Sequence, residues 1–170
     1  MSEALLVAGK LISAGWGLAP TLIRRAPHIE LDWDTRQKSR FDATDSAGTR
    51  FGVFLPRGQI VRGGDVLVRD DGALVAVRAR PQPVLRVTVG PGGCSHDLLR
   101  AAYHLGNRHV PLEVRADHLQ LEPDHVLAEM LRRMGLTVAA ADAAFEPEAG
   151  AYVSGAAHDH DHDHDHHHHV

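Results

Sequence analysis

The spacing of apolar and polar residues predicts a first part of the chain made of short strands. The predicted strands are alternating or apolar runs at residues 29–34, 51–55, 66–68 and 74–77. The last two flank Asp70-Asp71-Gly72, which predicts a hairpin because glycine accepts the positive φ of a tight turn. Residues 1–80 are therefore predicted to form a small all-β domain.

The second part alternates strand and helix signals. Pro81 and Pro83 each remove a backbone donor and stiffen a short connector, so we place the domain boundary there. Strands are predicted at residues 84–89, 112–115, 118–121 and 136–140, with one helix after the first strand and one after the third. This order predicts a ferredoxin-like (βαββαβ) domain over residues 84–145 and an α+β chain overall.

Each predicted helix carries start and stop signals. Ser95 is expected to cap the first helix, and Gly106-Asn107 to end it with a left-handed residue. The second helix opens at Pro123-Asp124 and stops at Gly135. Its predicted buried stripe consists of Val126, Leu127, Met130, Leu131 and Met134.

Composition narrows the function classes. The chain has 170 residues, of which 44% are hydrophobic, and no long apolar run, so we expect a globular cytoplasmic protein that binds no membrane. Cys94 is the only cysteine, which excludes a disulfide framework within one chain, and we expect its thiol to be buried. Outside residues 158–169, 18 acids balance 18 Lys and Arg, and the scattered arginines argue against nucleic-acid binding.

Histidine is the anomaly of the composition, because eight of 14 histidines lie in residues 158–169, alternating at first with aspartate. Neutral imidazoles suit Ni²⁺, Cu²⁺, Zn²⁺ and Co²⁺. The predicted tail ligands are His158, His160, His162, His164, His166, His167, His168 and His169. We expect residues 146–170 to form a flexible metal-binding tail, because no apolar residue interrupts His158 to His169 and burial cannot order that run without metal. The alternative is an expression tag, but the alternating aspartates and the terminal valine favour a native segment.

His109 is the candidate ligand of the body. A lone histidine after a helix is more often a surface residue than a ligand. One imidazole does not hold a transition metal, so a ligand role for His109 requires a second chain, most simply across a two-fold axis. His104 and His125 are possible outer ligands, His96 and His118 have weaker claims, and His28 is taken as incidental.

Catalytic chemistry finds little support in the sequence. Ser95-His96-Asp97 has the residue types of a triad, but consecutive helical residues diverge by about 100° and cannot relay a proton. The glycines of residues 90–93 lack the spacing of a dinucleotide fingerprint. We therefore predict no catalytic site.

Several separated motifs of the chain point to one known family. They are HLGNRHVPL at residues 104–112, DHVL at 124–127, FEPEAGAY at 145–152, SR at 39–40, LPRG at 55–58 and GDVL at 64–67. Together they resemble the UreE family of urease accessory proteins. The resemblance runs from about Trp33 to the end of the chain, with the motifs in the family's order.

The resemblance implies a nickel metallochaperone that passes Ni²⁺ to the GTPase UreG and to the urease apoprotein assembly complex. It implies a homodimer through the C-terminal domain, in which the two His109 residues share one metal. It also implies a peptide- or partner-binding N-terminal domain. The position of His125 belongs to a peripheral metal site in some relatives, and Pro123 departs from their pattern.

Three hypotheses follow. The first is nickel delivery through the two His109 residues, with the tail gathering metal. The second is a storage or buffering protein for nickel or copper without a specific client. The third is an interaction module with an incidental tail. The choice of nickel rests on the resemblance, because imidazole binds Cu²⁺ at least as well.

Overall fold

The computed structural model describes residues 6–149, which form two sheets. The strands of the first sheet are β1 (Leu6–Ile12), β2 (His28–Leu31), β3 (Arg40–Thr44), β4 (Arg50–Phe54), β5 (Val66–Arg69) and β6 (Leu74–Ala79). They lie in the order β2-β6-β5-β1-β4-β3. The β1–β4 and β2–β6 pairs are parallel, and the other pairs are antiparallel. The predicted ligands at residues 158–169 lie outside the described residues.

The first sheet confirms the predicted β5–β6 hairpin, in which Gly72 has a φ of 83°. The region is not purely β, because it includes the short helices α1 (Pro20–Arg25) and α2 (Trp33–Arg36). The strand predicted at residues 29–34 ends early. Asp32 accepts a hydrogen bond from the Thr35 backbone N–H at 2.9 Å, so its carboxylate starts α2 instead of extending β2.

The second sheet is antiparallel, and its strands lie in the order β10-β7-β9-β8. Its elements are β7 (Gln82–Thr88), α3 (Ser95–Gly106), β8 (Glu113–Val114), β9 (Leu119–Leu121), α4 (His125–Arg133) and β10 (Thr137–Ala143). The predicted order of strand, helix, strand, strand, helix, strand is therefore confirmed. The chain is a two-domain protein of mixed α/β content in which strands predominate.

Several local predictions in this half are wrong. The N-cap of α3 is Cys94 rather than Ser95, and Cys94 is exposed rather than buried. Its backbone N–H donates to Asp97 Oδ2 at 2.9 Å, because the aspartate reaches back from the first turn. In α4 the buried side includes Ala128 and Leu131, whereas Val126 is 60% exposed. Val126 lies about 160° around the helix from Ala128 and so points away from the sheet.

Each sheet has its own apolar core, and a third cluster of Trp33, Val84 and Phe145 joins the two domains. Residues 145–148, here called the junction segment, carry several of the polar contacts between them. Arg36 is completely buried, and its Nη1 lies 2.8 Å from Glu146 Oε1. Burial lowers the pKa of Arg36 from its ordinary value, and the Glu146 carboxylate opposes that shift.

The other side of the junction segment is fixed to the C-terminal domain. The Glu146 backbone N–H donates to Glu113 Oε2 at 2.7 Å, and the Glu148 backbone N–H donates to the Leu112 carbonyl at 2.8 Å. The tail predicted to be flexible from residue 146 is thus held at its first residues. These bonds bring the end of the described chain to the loop that follows α3.

Candidate metal site

Helix α3 ends in a Schellman motif whose left-handed residue is His109. The His109 backbone N–H donates to the Gly106 carbonyl at 2.9 Å, and that of Val110 donates to the Leu105 carbonyl at 3.3 Å. These two hydrogen bonds define the motif. His109 has a φ of 55°, whereas Asn107 has a φ of −61°. The prediction that Gly106-Asn107 supplies the left-handed residue is therefore wrong.

A histidine at this position strains the backbone. The left-handed conformation costs an L-residue roughly 1–2 kcal/mol, which a glycine avoids. The side chain of His109 is exposed. Both hydrogen bonds of the motif are made by the backbone, so the fold itself does not require an imidazole here. Strained residues at exposed positions are concentrated at functional sites, which makes His109 a site candidate on structural grounds.

His109 lines two cavities. One cavity of about 450 Å³, here called the junction cavity, also includes Trp33, Ile60, Val110, Leu112, Val114, Pro147, Glu148 and Ala149 in its wall. The other, of about 320 Å³, has Arg108, Pro111, Glu122, Pro123, Asp124 and Leu127 in its wall. The left-handed turn therefore places His109 between the domain junction and the start of α4.

Trp33 is packed on several sides in the wall of the junction cavity. The guanidinium carbons of Arg36 and Arg62 lie 5.3 and 5.2 Å from the centroid of its ring, and Phe145 meets the ring edge-on at 6.1 Å. Within residues 6–149, its indole Nε1 is the only buried side-chain nitrogen or oxygen without a hydrogen-bond partner. Such an orphan donor costs roughly 1–3 kcal/mol.

The other candidate histidines of the body stand near His109 in sequence but do not form a ligand cluster with it. His104 is in the last turn of α3, and its half-buried ring meets Tyr103 edge-on at 5.5 Å. His125 is exposed at the first residue of α4, next to the N-cap Asp124. Across the described part of the chain, no three His, Cys, Asp or Glu side chains are grouped to hold a metal ion.

The remaining body histidines are placed away from this arrangement. His118 Nδ1 lies 2.7 Å from Asp117 Oδ1, and this contact holds the pKa of Asp117 below its usual value. His96 is exposed at the start of α3, and His28 begins β2. None of these three lines either cavity beside His109.

Sequence patterns did not identify the residues that surround His109 from the N-terminal domain and the junction segment. Trp33 was assigned to a strand, and Arg36 and Glu146 are 110 positions apart, so no local periodicity connects them. The only signal was the FEPE motif itself, in which an acid lies between two residues that are buried in the structure. An acid in such a setting needs a partner, and Arg36 and Arg62 provide it.

None of the helices in residues 6–149 is long and apolar enough to cross a membrane. This finding agrees with the absence of a long apolar run.

Comparison with known proteins accounts for both domains. Residues 10–80 match the model of the N-terminal domain of the UreE urease accessory protein, and residues 82–169 match that of its C-terminal domain. A urease accessory protein UreE from Albidiferax ferrireducens is 66% identical over 157 residues, which cover 91% of this chain and 90% of the relative. Relatives of the same name from Verminephrobacter eiseniae and Cupriavidus necator are 59% and 49% identical, covering 89% and 91% of this chain and 90% and 79% of their own lengths. The chain therefore belongs to the UreE family of urease accessory proteins, which are maturation chaperones rather than enzymes.

Proposed function

We propose that the protein is a nickel metallochaperone that donates Ni²⁺ to the GTPase UreG and the urease apoprotein complex during urease maturation. The observation that carries the proposal is His109, an exposed imidazole held in the left-handed conformation where a glycine would be less strained. Membership of the urease accessory family supports nickel as the cargo.

The proposed metal site is shared by two copies of the chain. One chain groups no three ligand side chains within residues 6–149, so a second His109 across a two-fold axis is the simplest additional ligand. Leu99 and Tyr103 support a homodimer, since both lie on α3 at a spacing of four residues and each is 66% exposed. The proposed dimerisation domain spans residues 84–145. Its element order and its sheet order β10-β7-β9-β8 support a ferredoxin-like assignment.

In this proposal the tail gathers Ni²⁺ and the two His109 residues transfer it. A site with few ligands suits transfer, because the recipient must displace them one at a time. His104, in the last turn of α3, and His125, at the start of α4, are proposed as outer ligands of the shared site. Cu²⁺, Zn²⁺ and Co²⁺ compete for the same imidazoles. Residues 1–80 are proposed to bind a partner peptide, and the protein is proposed to act in the cytoplasm.

The experiment is a nickel titration of the intact protein, of His109→Ala and of a chain lacking residues 158–170, with oligomer mass and urease activation measured alongside. Alanine at position 109 is as strained as histidine, so loss of binding reports the imidazole rather than the fold. The matched control is His96→Ala, which removes an exposed histidine from the start of α3. We expect His109→Ala to abolish one nickel per dimer and to reduce urease activation. Deletion of the tail should mainly lower the total nickel count.

The alternative is a storage or buffering protein for nickel or copper, which the eight histidines of the tail favour. Storage predicts that deleting the tail removes all nickel binding, and that His109→Ala alters neither binding nor urease activation. That pair of results would overturn delivery.

A further inference from the structure

The junction cavity has an apolar wall with no occupant among residues 6–149. Ile60 comes from the N-terminal domain and Val114 from β8, and these side chains are 36% and 43% exposed. Pro147 and Ala149 bring the junction segment and the residue after it to the same cavity. A concave apolar surface formed by three parts of the chain is typical of a binding site for an apolar group.

A buried tryptophan lies in this apolar wall. Trp33 is 4% exposed and lines the cavity, and its indole Nε1 is closed to solvent and has no acceptor within residues 6–149. The indole N–H lies too deep to donate to a ligand in the cavity, so the site suits an apolar side chain that packs over the ring.

The chain itself supplies such a ligand directly after the cavity wall. Residues 150–157 read GAYVSGAA and carry no charge, whereas residues 158–169 are all His or Asp. We propose that residues 150–154 dock in the junction cavity, with Tyr152 and Val153 against its apolar wall and above the Trp33 ring. The docked segment is an anchor for the histidine-rich tail.

Covalent continuity favours this segment over any separate molecule. Ala149 already lies in the wall of the cavity, and Tyr152 follows three residues later, within a reach of about 10 Å. Docking is therefore intramolecular, with an effective concentration on the order of millimolar. The junction segment strengthens the argument, because the hydrogen bonds of Glu146 and Glu148 fix the direction from which the chain arrives.

The anchor has a consequence for the metal site, and this consequence rests on the proposed function. From Ala149 to His158 the chain spans nine residues, or at most roughly 30 Å, but from an anchored Val153 it spans five residues, or roughly 17 Å. A shorter tether raises the local concentration of the first tail histidines around His109, which lies in the wall of the same cavity. The anchor thus positions the tail to deliver metal to His109.

The test observes the Trp33 indole proton in the ¹H–¹⁵N spectrum of the full-length apo protein. Trp16 and Trp33 are the only tryptophans, and Trp16→Phe assigns their two indole resonances. Tyr152→Ala should shift the Trp33 indole resonance and speed its hydrogen exchange by about tenfold or more, because the ring loses the side chain that covers it. The 86% exposed Trp16 is the internal control and should not change.

Two matched variants isolate the anchor. Tyr103→Ala removes the other tyrosine, which is outside the cavity wall, and should leave Trp33 unchanged. Deletion of residues 158–170 removes the metal-binding run but retains the anchor, and it too should leave Trp33 unchanged.

The proposal is overturned if Tyr152→Ala leaves the Trp33 resonance and its exchange rate unaltered. It is also overturned if the Trp33 resonance responds to protein concentration in step with the dimer mass, because a second copy then fills the cavity. These results are separate from nickel delivery. A Trp33 response to Tyr152→Ala would support the anchor even if His109→Ala left nickel binding unchanged.

Discussion

The two helices of the C-terminal domain end in the same motif but use different residues for it. At the end of α4, Gly135 has a φ of 86°, its N–H donates to the Arg132 carbonyl at 2.9 Å, and the Leu136 N–H donates to the Leu131 carbonyl at 3.1 Å. The end of α3 repeats this geometry with His109 in the place of Gly135. Helix α4 ends with a glycine, which adopts the left-handed conformation without strain. Helix α3 ends with a histidine, whose backbone is strained in the same conformation.

The surroundings explain the difference. The end of α4 packs against the end of β7, since a Cβ placed on Gly90 would lie 1.9 Å from the Gly135 carbonyl oxygen. The end of α3 is open, and His109 is exposed between two cavities. Glycine therefore occupies the left-handed position of α4, where the turn has only a structural role. The histidine stands where its side chain is exposed, and we propose that it meets a metal and a second chain there.

The largest expected loss of stability comes from a substitution that disturbs the packing of the end of α4 against β7. Gly90→Ala forces its methyl group into the Gly135 carbonyl and should lower the free energy of unfolding by about 3 kcal/mol, measured by urea denaturation. Gly9→Ala is the matched control, because a Cβ there meets only the Phe54 carbonyl oxygen at 3.8 Å. A loss below about 1 kcal/mol in Gly90→Ala would mean that the end of α4 is not buttressed by β7.

The next effect concerns the left-handed residue of α4. Gly135→Ala should cost about 1–2 kcal/mol through backbone strain alone, because a Cβ at this position meets nothing within 4 Å. Gly135→His should cost a similar amount. Equal stability of the wild type and Gly135→Ala in thermal unfolding would remove the argument that His109 is strained.

The opposite substitution, glycine for His109, should relieve the backbone strain at the end of α3. His109→Gly should raise the free energy of unfolding by about 0.5–1 kcal/mol, because relief of the left-handed strain outweighs the added freedom of the unfolded chain. His109→Ala should be nearly neutral, since alanine keeps the strain. If His109→Gly destabilised the protein in urea denaturation, the imidazole would have a structural role that the hydrogen bonds do not reveal.

The smallest effect distinguishes the predicted stop residue from the observed one. Gly106 is the last residue of α3, has no positive φ and has room for a Cβ. Gly106→Ala should therefore stabilise the helix by up to about 0.5–1 kcal/mol in the same assay. If Gly106→Ala destabilised the protein, Gly106 rather than His109 would be the left-handed residue that ends α3.

The sequence predicts most of the elements of the C-terminal domain, because their signals are local. The Gly135 stop and the Asp124 cap depend on side chains within a few residues, and both are confirmed. The stop of α3 was misplaced because Gly106-Asn107 carries an equally good local signal. The choice of His109 follows from Val110, which packs with Leu105 in the core at the end of the motif.

The residues that surround His109 are harder to predict from the sequence. His109 was identified from its place after a helix, but the junction cavity depends on the meeting of Trp33 and Arg36 with Glu146 from the far end of the chain. Such contacts have no periodicity in the sequence. The role of His109 as a ligand remains a prediction, as do those of His104, His125 and the tail histidines.

The most direct test is a nickel titration of His109→Gly, with its unfolding free energy and oligomer mass measured on the same preparation. The account predicts a protein that is more stable than the wild type and yet binds one nickel fewer per dimer. An unchanged nickel count in that stabilised variant would contradict the claim that His109 is kept in a strained turn in order to bind metal.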